Sequence, residues 1–105
     1  MALSLSTTAP DGAALVAVAG ELDLASAPEL EAELLRVLAD ASVPEVGVDL
    51  REVTYLDSSG LRTLLLAARE ADATGRRLRI TPGSGQALRV ITLAGVADRL
   101  NLDAA

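Results

Sequence analysis

A chain of 105 residues, half of them apolar, has enough material for one core without staples. With no Cys, no His and nine basic residues that are all Arg, it has no thiolate site, no imidazole base, no Ser-His-Asp triad and no Schiff-base or P-loop lysine. The formal charge of −6 speaks against nucleic acid or an anionic membrane as a partner, since both need basic patches.

The apolar residues are almost all Ala, Leu and Val, and Tyr55 is the single aromatic, so the core is expected to be aliphatic. No Asp/Glu pair sits in a recognisable hydrolytic or magnesium-binding loop, so no metal or cofactor is expected on the chain, and catalysis is not. The N-terminus lacks the basic and long apolar regions of a signal peptide. No apolar run approaches the ~20 residues of a membrane span. These features predict a cytoplasmic protein made of a single domain over residues 1–105.

The spacing predicts strands from Leu3 to Thr8 and from Ala13 to Ala19, joined by the turn Ala9-Pro10-Asp11-Gly12. Next comes Ser26-Ala27-Pro28-Glu29, a Ser-x-x-Glu capping box with Pro in the first turn. It opens a helix carrying Leu30, Leu34, Val37 and Leu38. Val46, Val48 and Leu50 alternate with Gly47 and Asp49, a strand with one apolar face. Leu61, Leu64, Leu65, Ala68 and Ala71 mark a second amphipathic helix, with Gly75 at its C-terminus. Arg76-Arg77-Leu78-Arg79 reads as the solvated start of a strand through Ile80, not as a nucleic-acid patch, because no aromatic stands by to stack bases. Ser84 is expected to cap a third helix carrying Leu88 and Ile91. Gly95 ends that helix, and a short last helix anchors through Val96, Leu100 and Leu102. The order predicts an α/β fold: a small mixed sheet opened by a β-hairpin. Right-handed crossovers and one-faced strands place the helices mainly on one side.

The strand-to-helix junction Tyr55-Leu56-Asp57-Ser58-Ser59-Gly60-Leu61 is the candidate site. A helix N-terminus offers unpaired N–H groups and the positive end of the dipole, a natural place for an anion. A bland reading is sufficient for the residue types: Asp or Ser caps the helix and Gly60 eases the turn. Yet three cap candidates compete where one suffices, which frees at least one for solvent. Gly60 also lets another molecule approach the backbone. Arg62 lies one helical repeat after Ser58, placed to reach a phosphate there. Asp23 follows a neighbouring strand, so Asp23 and Asp57 are expected to flank Ser58 on one edge. The chemistry allows either Ser58 or Ser59 as an acceptor.

Gly20-Glu21-Leu22-Asp23, Val48-Asp49-Leu50, Leu56-Asp57-Ser58-Ser59-Gly60-Leu61 and Leu93-Ala94-Gly95-Val96 together resemble a STAS domain, over nearly the whole chain. More narrowly, they resemble the stand-alone bacterial anti-sigma factor antagonists. The resemblance implies a protein that binds an anti-sigma factor when unphosphorylated and so frees the sigma factor. It implies that the anti-sigma factor is also a serine kinase, with ATP and Mg²⁺ on the kinase, and that it phosphorylates Ser58 and is thereby released. A serine phosphatase restores binding. Asp23, Asp57, Ser59, Gly60, Leu61 and Arg62 then correspond to the docking surface around the acceptor. Arg62-Thr63 depart from the small or apolar residues that such proteins commonly carry after the motif. A response-regulator receiver is set aside, because it needs a lysine and does not open with a hairpin. The alternative is a STAS module that is not phosphorylated and acts as a scaffold or binds a small ligand.

Overall fold

The chain's structure, a computed structural model, describes residues 3–9 and 12–102. Its elements run β1 (Ser4–Thr8), β2 (Ala14–Leu22), α1 (Ala27–Leu38), β3 (Glu45–Leu56), α2 (Ser58–Ala73), β4 (Arg77–Thr81) and α3 (Gln86–Ala94), then a 3-10 helix, Ala97–Leu100. The predicted order holds, except that the last helix is 3-10. Of the turn between the first two strands, Pro10 and Asp11 lie outside the described residues, and Gly12 takes the expected positive φ of 87°.

The four strands lie in the order β1-β2-β3-β4. β1 pairs antiparallel with β2, while β2 with β3 and β3 with β4 are parallel, each joined through a helix. Alternation decides which face is covered. Ala14, Val16, Val18 and Leu22 of β2 are buried, as are Val46, Val48 and Leu50 of β3 and Leu78 and Ile80 of β4. They share one core with Leu30 and Leu34 of α1, Leu61 and Leu64 of α2, and Ala87 and Ile91 of α3.

β3 runs to Leu56, the expected strand-to-helix junction, but its alternation breaks after Leu50, with the next buried positions at Val53 and Leu56. Two register shifts explain the break: Ala17 and Ala19 face Asp49 and Glu52, and Gly20 and Glu21 face Val53 and Tyr55. Each bulge adds a residue to β3, so its apolar positions fall out of step with a period of two. β4 accompanies β3 only from Glu45 to Asp49.

The α2 C-terminus forms a Schellman motif. Arg76 N–H donates to the Ala71 carbonyl (2.8 Å) and Gly75 N–H to that of Asp72 (3.1 Å), with Gly75 at φ +72°. Arg76 is not the solvated residue expected from the basic run. Its guanidinium donates to the carbonyls of Leu38 and Asp40, satisfying the end of α1. Two expected caps also differ. Ser26 precedes α1 but makes no side-chain cap bond, and Gly85, not Ser84, occupies the position before α3. Among the described residues no helix is long and apolar enough to cross a membrane.

Candidate functional site

Leu22 and Leu56 are register partners at the ends of adjacent parallel strands, and Asp57 N–H donates to the Leu22 carbonyl at 3.2 Å. Asp23 and Asp57 are therefore each one residue beyond a paired position. Both residues thus lie at the edge where the parallel strands end.

At the β3–α2 junction the competition for the cap has one winner. Asp57 Oδ1 accepts from Ser59 N–H (2.9 Å) and Gly60 N–H (3.2 Å), while its carbonyl takes Leu61 N–H (3.0 Å). The two serines are released from capping. Ser58 is exposed and Ser59 half-buried. Among the described residues neither hydroxyl has a hydrogen-bond partner. The same geometry corrects one expectation: two of the first-turn N–H groups that were to hold a phosphate are already taken by Asp57.

Gly60 has a different role from the one its sequence position suggested. A Cβ there would lie 2.6 Å from Leu22 Cγ and Leu56 Cδ1 and 2.9 Å from the Leu22 carbonyl oxygen. The close approach it permits is between α2 and the ends of β2 and β3, not between the chain and another molecule. Leu61 is buried as well. Both residues hold the junction from inside, and the surface around it is formed by others.

At the β2–α1 junction the same residue types are tied to each other. The Ser26 hydroxyl is buried, donates to the Glu21 carbonyl (2.7 Å) and lies 3.1 Å from Asp23 Oδ1. It also accepts from Asp23 N–H (3.0 Å), and Asp23 Oδ1 accepts from Ala25 and Ser26 N–H (3.1 Å each). These bonds, led by that from Ser26 N–H, hold the Asp23 carboxyl below its usual range, so it is ionised at neutral pH.

The loop so fixed projects Leu24, which is 76% exposed, toward the start of α2. Leu24, Ala27, Pro28, Ser59, Arg62 and Leu66 are among the residues lining a hollow of about 150 Å³ beside the serines. Composition and motif gave no weight to Leu24 or Leu66; an apolar residue in a polar loop was the only available signal. Arg62 is exposed, and among the described residues it makes no side-chain hydrogen bond or ion pair. Thr63, its partner in departing from the motif, is buried, so only Arg62 changes the polarity of this surface. Among the described residues no group of acidic side chains is placed to hold a metal ion.

Residues 5–102 match the protein family described as "Mlab, STAS domain". The chain belongs to the STAS domain family. It is 30% identical to an anti-sigma-B factor antagonist of Staphylococcus aureus, over 98% of this STAS domain chain and 94% of that protein. Its structure resembles that of an anti-sigma factor antagonist from Mycobacterium paratuberculosis, with a TM-score of 0.83 and 29% identity over 99% and 87% of the two chains. The phosphorylated form of the Bacillus cell fate determinant SpoIIAA has a TM-score of 0.72 over 97% and 91% of the chains. At 20% identity that likeness concerns the fold alone.

Proposed function

We propose that this STAS domain is an anti-sigma factor antagonist, a binding protein rather than an enzyme, whose docking is switched off by phosphorylation of Ser58. The partner is an anti-sigma factor with serine kinase activity that carries ATP and Mg²⁺ itself, and a serine phosphatase reverses the mark. The setting is the cytoplasm. The names of the relatives support the antagonist role. The observation that carries the switch is the state of Ser58: exposed, unpaired, and next in the chain to a carboxylate that has taken over the cap.

A phosphoryl group adds about −1.5 to −2 charges at neutral pH. On Ser58 it stands beside Asp57 and near Asp23, at an edge where two of the nearest N–H donors are already occupied. The helix dipole tolerates the new charge within the monomer. A partner surface fitted to the unmodified edge has to bury it unmatched. A 100-fold loss of affinity needs only about 2.7 kcal/mol, well within the cost of an unpaired buried charge. Leu24 and the hollow behind it offer the apolar anchor such an interface needs at its centre.

The test compares wild type with Ser58→Asp for binding to the purified anti-sigma factor, with circular dichroism of both. The expected result is about a 100-fold weaker complex with unchanged spectra. Wild-type affinity in Ser58→Asp, or loss of binding through unfolding, overturns the switch. If the cognate kinase with Mg·ATP leaves Ser58 unmodified, the scaffold reading replaces it.

A further inference from the structure

β4 leaves β3 at Asp49, so among the described residues the stretch of β3 that leads into the acceptor junction has no strand on that side. Gln86, the first residue of α3, takes its place at one point. Its Oε1 accepts from Leu56 N–H (2.8 Å) and its Nε2 donates to the Leu56 carbonyl (3.0 Å). A primary amide that pairs with both polar groups of one residue reproduces one rung of a sheet. From the other side the Leu22 carbonyl holds Asp57 N–H at 3.2 Å. The peptide entering the junction is thus pinned on both flanks, two residues before Ser58.

We propose that Gln86 is a positioning residue for Ser58, fixing the Leu56–Asp57 peptide so that the serine hydroxyl is presented in one orientation. The proposal rests on the phosphoacceptor reading. In that reaction Ser58 Oγ bonds to the γ-phosphorus of ATP while the bond from that phosphorus to the bridging oxygen of ADP breaks. The hydroxyl proton passes to a base on the kinase. Such transfer is governed by alignment of attacking and leaving oxygens, so looseness at the acceptor costs rate more than binding. The side-chain hydrogen bonds of Gln86 go to the backbone of Leu56 and, among the described residues, to none of the side chains assigned to docking. Its removal is therefore expected to act on kcat and not on KM.

The experiment uses the full chain as Gln86→Ala, Gln86→Glu and, as a control in the same helix, Ile91→Val. Glutamate keeps an acceptor for Leu56 N–H but has no donor for the Leu56 carbonyl, whereas Ile91→Val loosens α3 without touching the junction. Amide hydrogen exchange reads the geometry without any kinase. In Gln86→Ala the N–H groups of Leu56, Asp57 and Ser59 are expected to exchange about tenfold faster, with β2 unchanged. With the purified kinase and Mg·ATP, kcat for Ser58 is expected to fall about tenfold at constant KM in both Gln86 variants. Ile91→Val keeps the wild-type kcat. Unchanged exchange in Gln86→Ala, a wild-type kcat with faster exchange, or an equal loss in Ile91→Val each overturns the positioning role while Ser58 remains the acceptor. If the wild type gains no phosphate on Ser58, the acceptor reading falls and the proposal with it.

Discussion

The two strand-to-helix junctions of this protein use the same two residue types for opposite ends. At β2–α1, Asp23 and Ser26 spend their hydrogen-bonding capacity on each other and on the Glu21 carbonyl, with the hydroxyl buried. At β3–α2, Asp57 alone satisfies the helix, and the adjacent Ser58 hydroxyl is left to solvent. The difference lies in spacing. With Ser three positions after Asp, the hydroxyl folds back under the loop. With Ser immediately after the cap, its side chain sits at the first helical position and turns outward. A serine near a helix start becomes a structural lock or an available nucleophile according to whether a neighbouring carboxylate leaves it anything to do.

Gly60 joins the two junctions, and altering it is expected to have the largest effect. In Gly60→Ala the new methyl meets the fully buried Leu22 and Leu56 side chains and the Leu22 carbonyl. Overpacking of this kind costs about 1–3 kcal/mol, with the backbone contact placing it at the upper end, against about 1 kcal/mol gained in helix propensity. A net loss of about 2 kcal/mol in urea unfolding is expected; a stabilised protein would show that the junctions are not coupled there. Ser26→Ala comes next, because it takes away the side-chain acceptor of Asp23 N–H and the hydroxyl that donates to the Glu21 carbonyl. Leaving that N–H unpaired costs about 1–3 kcal/mol, and the urea midpoint should fall accordingly. Ser58→Ala removes a hydroxyl that bonds to nothing among the described residues and should stay within about 0.5 kcal/mol of wild type. Equal losses in the two serine variants would erase the distinction between lock and acceptor.

Asp57 sharpens the same comparison from the carboxylate side. Asp57→Ala forfeits the bonds to Ser59 and Gly60 N–H, a cap expected to be worth about 1 kcal/mol. Asp57→Asn keeps an acceptor oxygen at that place and should unfold like wild type. It also removes one negative charge beside Ser58, so a phosphate there should weaken partner binding less than in wild type. Full loss of stability in the asparagine variant would mean that charge at the helix dipole, and not the cap, holds the junction.

The order of elements was legible in the chain because aliphatic periodicity and turn residues set it locally. Asp23, Asp57 and Ser58 were legible as neighbours because parallel strands bring their C-terminal ends to one edge. What was not legible depends on contacts distant in sequence. The break in the alternation of β3 past Leu50 comes from bulges that only its pairing with β2 reveals. Ser26 carries the pattern of a capping box, yet its hydroxyl answers to Glu21 behind it. Gly60 looked like an opening for a partner until Leu22 and Leu56 were seen to fill the space. Gln86 follows a glycine in an unremarkable polar stretch, and nothing near it hints at Leu56, 30 residues away.

The smallest expected effect is on acid sensitivity, and it separates the locked junction from the rest of the fold. Asp23 is held below its usual value by Ser26 N–H, and Glu33 is lowered to about 2 by Arg36 and by Thr7 of β1. A carboxyl whose folded pKa is depressed adds stability above its ordinary value and loses it as the pH falls toward the folded one. Each therefore stabilises the protein at neutral pH and ceases to do so under acid, Glu33 across the interval from 4.5 to about 2. Both are solvent-accessible, so screening keeps the contributions small. Urea midpoints measured from about pH 5 down to about pH 3 should fall less steeply in Glu33→Gln than in wild type. In Asp23→Asn the slope should also flatten, to a smaller degree. An acid slope in Asp23→Asn identical to wild type would mean that the Ser26 bonds hold the loop whether or not Asp23 is ionised. The lock would then be the serine's alone.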